Sequence, residues 1–131
     1  MREILFRGQS RSGGDWLYGW YRTIMYKSAI GYSVIPVIQD LEFDISESIY
    51  KETLGQYVGI KDSTGSKIFE GDILKNVFGE YGIVKYSDNF FYIKKAIVND
   101  YSPECFSSSK VVGNIYDNPE LIKAKRLDWR K

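Results

Sequence analysis

The chain contains no histidine. Histidine is the one side chain whose ordinary pKa puts its charge change near neutral pH. Its absence removes Ser-His-Asp and Cys-His nucleophile machinery and every zinc site with an imidazole ligand. Cys105 is the single cysteine, so there is no internal disulfide and no thiolate cluster. A reducing cytoplasm is therefore the expected compartment. Cys105 follows Pro103-Glu104, and an acidic neighbour with no histidine gives poor thiolate activation, so it reads as a half-buried structural cysteine. No stretch approaches the roughly eighteen apolar residues of a membrane span. The opening Met1-Arg2-Glu3-Ile4-Leu5-Phe6-Arg7 lacks the apolar run of a signal peptide. Charge of one sign is also missing: 18 Lys and Arg face 17 Asp and Glu, a net charge of +1. That balance argues against a high-affinity general duplex binder, which must neutralise many phosphates. Carboxylates, lysines, tyrosines or a bound cofactor are the chemistry left, and no residue pattern asks for a cofactor or a metal.

What is present is aromatic. Eleven Tyr, seven Phe and three Trp make up 16% of 131 residues, within a hydrophobic total of 44%. Aromatic and β-branched residues fit a pleated, half-buried surface, which points to a mainly β fold. A chain of this length buries roughly 65–70% of its unfolded surface, enough for a core without staples. Charge is clumped. Asp40, Glu42, Asp44, Glu47 and Glu52 form an acidic stretch, and Lys123, Lys125, Arg126, Arg130 and Lys131 form a basic tail.

Short runs separated by turn signals follow one another along the chain. Residues 3–7 read as a strand and 8–14 as a polar, glycine-containing loop. Residues 16–26 read as a strand covered on both faces, with Trp16, Tyr18, Trp20, Arg22, Ile24 and Tyr26 on one side and Leu17, Tyr21, Thr23 and Met25 on the other. Gly19 marks a bulge or a close backbone approach. Residues 33–38 are extended, and Pro36 assigns them to an edge strand or a strand end. The acidic stretch reads as loop with one helical turn from Ile45, Ile49 and Tyr50, capped by Asp44 or Ser46. Further strands are expected at 53–60, 68–74, 83–86, 90–93, 96–99 and 110–116. Turns are expected at 61–67, 78–82, 87–89 and 107–109. A closing helix begins at Pro119, with Asp117 or Asn118 as cap and Glu120 at its positive end.

Four blocks in series resemble the YopX family. They are Phe6-Arg7-Gly8 with Gly14-Asp15-Trp16-Leu17-Tyr18-Gly19 and Ile35-Pro36; then 53–62, Thr-Leu-Gly-Gln-Tyr-Val-Gly-Ile-Lys-Asp; then 65–74, Gly-Ser-Lys-Ile-Phe-Glu-Gly-Asp-Ile-Leu; and last 112–121, Val-Gly-Asn-Ile-Tyr-Asp-Asn-Pro-Glu-Leu. Val58 and Ile60 stand where the family has Thr and Leu. The resemblance implies one unit over 1–131: an N-terminal β lobe over 1–52, then an SH3-like barrel at 53–116 and a short C-terminal helix. It also implies a phage or prophage setting. The family has no assigned reaction, so no catalytic or ligand residue carries over.

Several features invite a functional reading, each beside a plainer one. Lys85, Tyr86, Phe90, Tyr92, Lys94 and Lys95 interleave cations with aromatics, as in small barrels that stack single-stranded bases; the plainer reading is core aromatics beside solubilising lysines. Trp16, Tyr18 and Trp20 are a candidate partner surface, against a reading in which two of the three are core. Glu70 and Asp72 could form a carboxylate site with Asp62 or Asp88, against local bonding to backbone N–H groups. The two glycines of Gly55-Gln56-Tyr57-Val58-Gly59 lack the following helix a phosphate cradle needs. The function expected is that of a non-enzymatic phage accessory protein, an interaction module for a phage or host protein or for itself. A weak single-strand nucleic-acid binder is the alternative, a carboxylate enzyme comes last, and no membrane partner is expected.

Overall fold

The computed structural model describes residues 3–40, 42, 45–125 and 127, and the chain divides into two units, Met1–Gln56 and Tyr57–Lys131. The first unit begins with a short strand, β1 (Phe6–Gln9), which pairs antiparallel with the long β2 (Trp16–Ser28) from Phe6↔Gly19 to Gln9↔Trp16. The chain turns at Ala29-Ile30, with Gly31 at φ +132°, and returns as β3 (Gly31–Asp40) in unbroken register from Ser28↔Gly31 to Gly19↔Asp40. β4 (Ser46–Ser48) adds to β3, one turn of 3-10 helix covers Lys51–Thr53, and the start of β5 (Gly55–Lys61) pairs with β1.

Close approach fixes two glycines here. A Cβ at Gly8 would run into the Ile49 side chain, which is fully buried, and one at Gly19 would meet the Gln39 carbonyl. Gly8, expected in a loop, is therefore inside β1, while Gly19 is the expected close approach. The acidic stretch also differs from expectation. Ile45, Ile49 and Tyr50 form no helical turn, because β4 pairs with β3 on one side, Ser48 and Tyr50 bond Arg11 and Gln9 on the other, and Ile49 is buried between. The helical turn comes later, where Thr53 Oγ1 accepts from Gln9 N (2.9 Å) and donates to Tyr50 O (2.6 Å). Ser46 accepts from Arg22 Nη2 at 3.0 Å and caps nothing, and Asp44 lies outside the described residues.

In the second unit the remainder of β5 pairs with β6 (Lys67–Phe69) at Tyr57↔Phe69 and Lys61↔Lys67. β7 (Asp72–Lys75), β8 (Tyr81–Ser87), β9 (Phe90–Lys94), β10 (Asn99–Asp100) and β11 (Lys110–Asn114) make an antiparallel sheet of order β10-β9-β8-β7-β11. The fold is mainly β, as expected, and its two antiparallel sheets do not close. Neighbouring residues of a strand point to opposite faces, and the β7–β9 meander carries a core on each. Leu74, Val84 and Ile93 pack with Val58, Ile68 and Phe106, whereas Ile73 and Ile83 pack with Ile122 and Leu127.

Phe106 belongs to a helix that sequence reading did not anticipate, α1 (Pro103–Ser107), which Ser102 caps by accepting from Glu104 N; Cys105 is half-buried on it. The expected closing helix is α2 (Pro119–Ala124), but Asn118 gives it no side-chain cap. Its Oδ1 accepts from Asn114 N at 3.1 Å instead. Lys125 lies 4.6 Å from the Tyr81 ring centre, and Arg126, Arg130 and Lys131 lie outside the described residues.

One carboxylate ties the second unit together. Asp62 Oδ1 accepts from Thr64 N (2.8 Å), Thr64 Oγ1 (2.8 Å) and Ser66 N (2.9 Å), closing the β5–β6 turn, while Oδ2 accepts from Val111 N (2.9 Å) in β11. Burial alone pushes the Asp62 pKa up, but the bonds from Val111, Thr64 and Ser66 outweigh it and hold the group below its ordinary 3.8. Asp62→Ala removes the acceptor shared by the N–H groups of Thr64, Ser66 and Val111 and is expected to lower unfolding free energy by roughly 1–3 kcal/mol in urea titration. A lowered folded pKa contributes stability that is complete above the unfolded value and is lost as pH falls through the folded one. The wild-type urea midpoint therefore drops below about pH 4, and the drop is shallower in Asp62→Ala. At the β8–β9 turn both Asp88 (φ 53°) and Asn89 (φ 70°) are left-handed. Such two-residue hairpins favour Asn-Gly or Asp-Gly, so Asn89→Gly relieves a left-handed side chain while adding unfolded-chain entropy, and is expected to raise unfolding free energy by no more than about 0.5 kcal/mol in the same titration.

Candidate functional site

The flanking strands stop short of the β2–β3 hairpin. β1 pairs with β2 only as far as Gly19, and β4 accompanies β3 only from Val37, the last bond there running from Ile49 N to Pro36 O. Over residues 20–36 the hairpin is a two-stranded ribbon with both edges open. Directly paired residues share a face. Trp20, Ile24 and Tyr26 lie on one face with Ile35; Met25 and Lys27 lie on the other with Val34 and Tyr32. Apart from the half-buried Ile35, these apolar side chains are exposed: Met25 70%, Tyr32 67%, Val34 62%, Trp20 56%, and Ile30 at the tip 99%. Contiguous apolar surface rimmed by polar residues marks interaction sites on soluble proteins.

The candidate partner residues sit at the base of this ribbon. Trp16 is half-buried, with Arg7 stacked 4.6 Å from its ring centre, while Tyr18 and Trp20 are exposed. The reading of two of the three as core is thereby corrected, as is that of β2 as covered on both faces. β1 is only four residues long, so it cannot flank a strand of thirteen.

Register divides the cation–aromatic group of β8 and β9. Lys85 pairs with Tyr92, Ser87 with Phe90 and Ile83 with Lys94, placing Lys85, Phe90, Tyr92 and Lys94 on one face. Tyr86 pairs with Phe91 on the other, their rings 4.8 Å apart. Lys95 bonds Glu80 at 3.2 Å and Asp100 at 3.1 Å. The bond to Asp100 is the largest cause raising its pKa above the ordinary value, so it stays protonated and is a poor nucleophile. Lys95 and Glu80 line a cleft of about 270 Å3 with Tyr81, Ile97 and Val98. The carboxylates at 62, 70 and 72 are not gathered. Asp72 is buried and accepts from Phe69 N at 2.7 Å, and Asp62 serves the turn described above. Among the described residues no three metal-ligating side chains cluster, and no helix is long and apolar enough to cross a membrane.

Among the described residues, two open antiparallel sheets, two short α-helices and a ribbon with exposed aromatic and aliphatic side chains make a small mainly β protein. The chain belongs to the YopX family, described as YopX protein, which matches residues 5–123. Its fold is similar to the crystal structure of protein EF1440 from Enterococcus faecalis, at 21% identity and a TM-score of 0.56, over 93% of this chain and 99% of that one. No curated protein matches the chain.

If the ribbon side chains are already in water, shaving them changes stability little. Met25→Ser and Val34→Thr are each expected to shift unfolding free energy by less than about 0.5 kcal/mol. Ile38→Ala, in the buried base of the same hairpin, is expected to lower it by about 2–5 kcal/mol, read from urea midpoints.

Proposed function

We propose that this YopX protein is a non-enzymatic accessory protein of phage or prophage origin. It works in the cytoplasm of a bacterial host as a protein-interaction module, docking through the β2–β3 ribbon. The observation that carries this reading is the run of exposed Trp20, Met25, Tyr26, Tyr32 and Val34 on a hairpin with no flanking strand. Rigid aromatics contribute most to interface energy for the least lost freedom. The rest of the molecule is read as a scaffold, with 53–116 an SH3-like module. The non-enzymatic part of the proposal is supported by the lack of histidine, the paired state of Lys95, and the structural use of Asp62 and Asp72.

A second reading has its own observation: Lys85, Phe90, Tyr92 and Lys94 share one sheet face, with Phe90 largely exposed. Cations beside aromatics on a β surface suit single-stranded nucleic acid. Two variants separate the readings, Trp20→Ala/Tyr26→Ala on the ribbon and Lys85→Glu/Lys94→Glu on the sheet. The tagged protein is used to recover partners from phage-infected cells, and labelled single-stranded DNA, duplex DNA and single-stranded RNA are titrated by anisotropy at low and moderate salt. The ribbon variant is expected to lose its protein partner while the lysine variant keeps it. Salt-sensitive micromolar binding of single strands that only the lysine variant loses would reverse the assignment.

A further inference from the structure

We propose that the ribbon's partner is a second copy of this chain, joined edge to edge through β2 across a two-fold axis at Ile24. This rests on the docking reading and names its partner.

The backbone register decides which edge is free. Ile49 N bonds Pro36 O and Asp40 N bonds Ile45 O, so the even-numbered residues of β3 direct their N–H and C=O groups away from β2. Such groups alternate sides along a strand. The odd-numbered residues of β3 therefore bond β2, at 33↔26, 35↔24 and 37↔22. It follows that Tyr21, Thr23, Met25 and Lys27 point their backbone groups outward from the other edge of the ribbon. The outer edge of β3 offers only Tyr32 and Val34 before Pro36, which has no N–H, and β4 begins immediately after it. The β2 edge is the longer one, without proline or glycine.

Pairing this edge with itself about Ile24 sets Tyr21 opposite Lys27 of the second copy and Thr23 opposite Met25, each with outward-pointing backbone groups. Between them, Arg22 falls opposite Tyr26, and Ile24 opposite Ile24. No like charges face each other: Lys27, whose Nζ lies 5.9 Å from the Tyr32 ring of its own chain, falls opposite Tyr21 of the second copy, and Arg22 keeps its bond to Ser46 within its own chain. The faces match as well. Since Ile24 pairs with Ile35 within one chain, the joined sheet carries a row of four isoleucines on one face. On the other face the Pro36-Thr23 pair runs on to Met25 and Val34 of the second copy. An open strand edge is a template for pairing, and a two-fold contact closes on itself, giving a dimer and not a fibre.

The test is sedimentation velocity on the full chain across about 1–100 µM, the range expected of an interface this small. The expected result is a concentration-dependent dimer. Thr23→Pro removes an outward N–H and no bond to β3, so it is expected to give a monomer with unchanged far-ultraviolet circular dichroism. Ile24→Lys, which sets two cations against each other on the axis, gives the same answer should the proline variant misfold. In a Cys105→Ser background, Ile24→Cys is expected to cross-link on oxidation and Tyr26→Cys is not, because only position 24 meets itself. A wild-type monomer throughout this range overturns the proposal, and so does a dimer that survives both Thr23→Pro and Ile24→Lys. A monomer that still recovers another protein through Trp20 and Tyr26 overturns self-pairing while the docking reading stands; loss of both removes both.

Discussion

The antiparallel ladder between β2 and β3 is the constraint on which the reading of this protein depends. Over its outer part no other described strand accompanies the pair, because β1 and β4 are too short to reach, and only side-chain contacts such as Arg22 to Ser46 and Lys27 over the Tyr32 ring add to the ladder. An isolated two-stranded hairpin is marginal in water, and here it is anchored at its base. Gly19 admits the Gln39 carbonyl there, and Val37 and Ile38 are buried. The same ladder decides which backbone groups point outward and which side chains share a face. The proposed function uses what a well-anchored but unflanked hairpin leaves exposed.

The second unit shows the opposite economy. Its turns are closed by its own polar groups: Asp62 across to β11, Asp72 to Phe69 N, and Asn76 Oδ1 to the N–H groups of Phe78 and Glu80. Carboxylates that looked like candidates for chemistry carry backbone geometry instead. Buried acceptors of this kind fix register, because leaving their donors unpaired costs more than the bonds contribute.

Strand positions were legible in the sequence wherever a β-rich run ended at a turn residue, as at Ser87-Asp88-Asn89 and 61–67. Pro119 with Glu120 announced α2, yet the same signature at Ser102-Pro103-Glu104 went unread because the helix it opens is so short. The acidic stretch misled for a different reason. Ile45, Ile49 and Tyr50 have near-helical spacing, and only tertiary partners, β3 on one side and residues 9–11 on the other, make the segment extended. Burial was the least legible property. Trp20, Met25 and Val34 have the composition of core, and their exposure follows from the lengths of neighbouring strands, a long-range fact no local pattern encodes. The split of Tyr86 from Lys85 likewise depends on face alternation, and assigning both residues to one surface ignored it.

Amide hydrogen exchange over β2, measured by NMR at high dilution, tests the central claim most directly. If the ribbon is ordered and unflanked, the amides of Arg22, Ile24 and Tyr26 are protected by β3, while those of Thr23, Met25 and Lys27 exchange at close to free-peptide rates. Uniformly fast exchange across these six residues would contradict the account, because the ribbon would then not be a formed element able to present a surface.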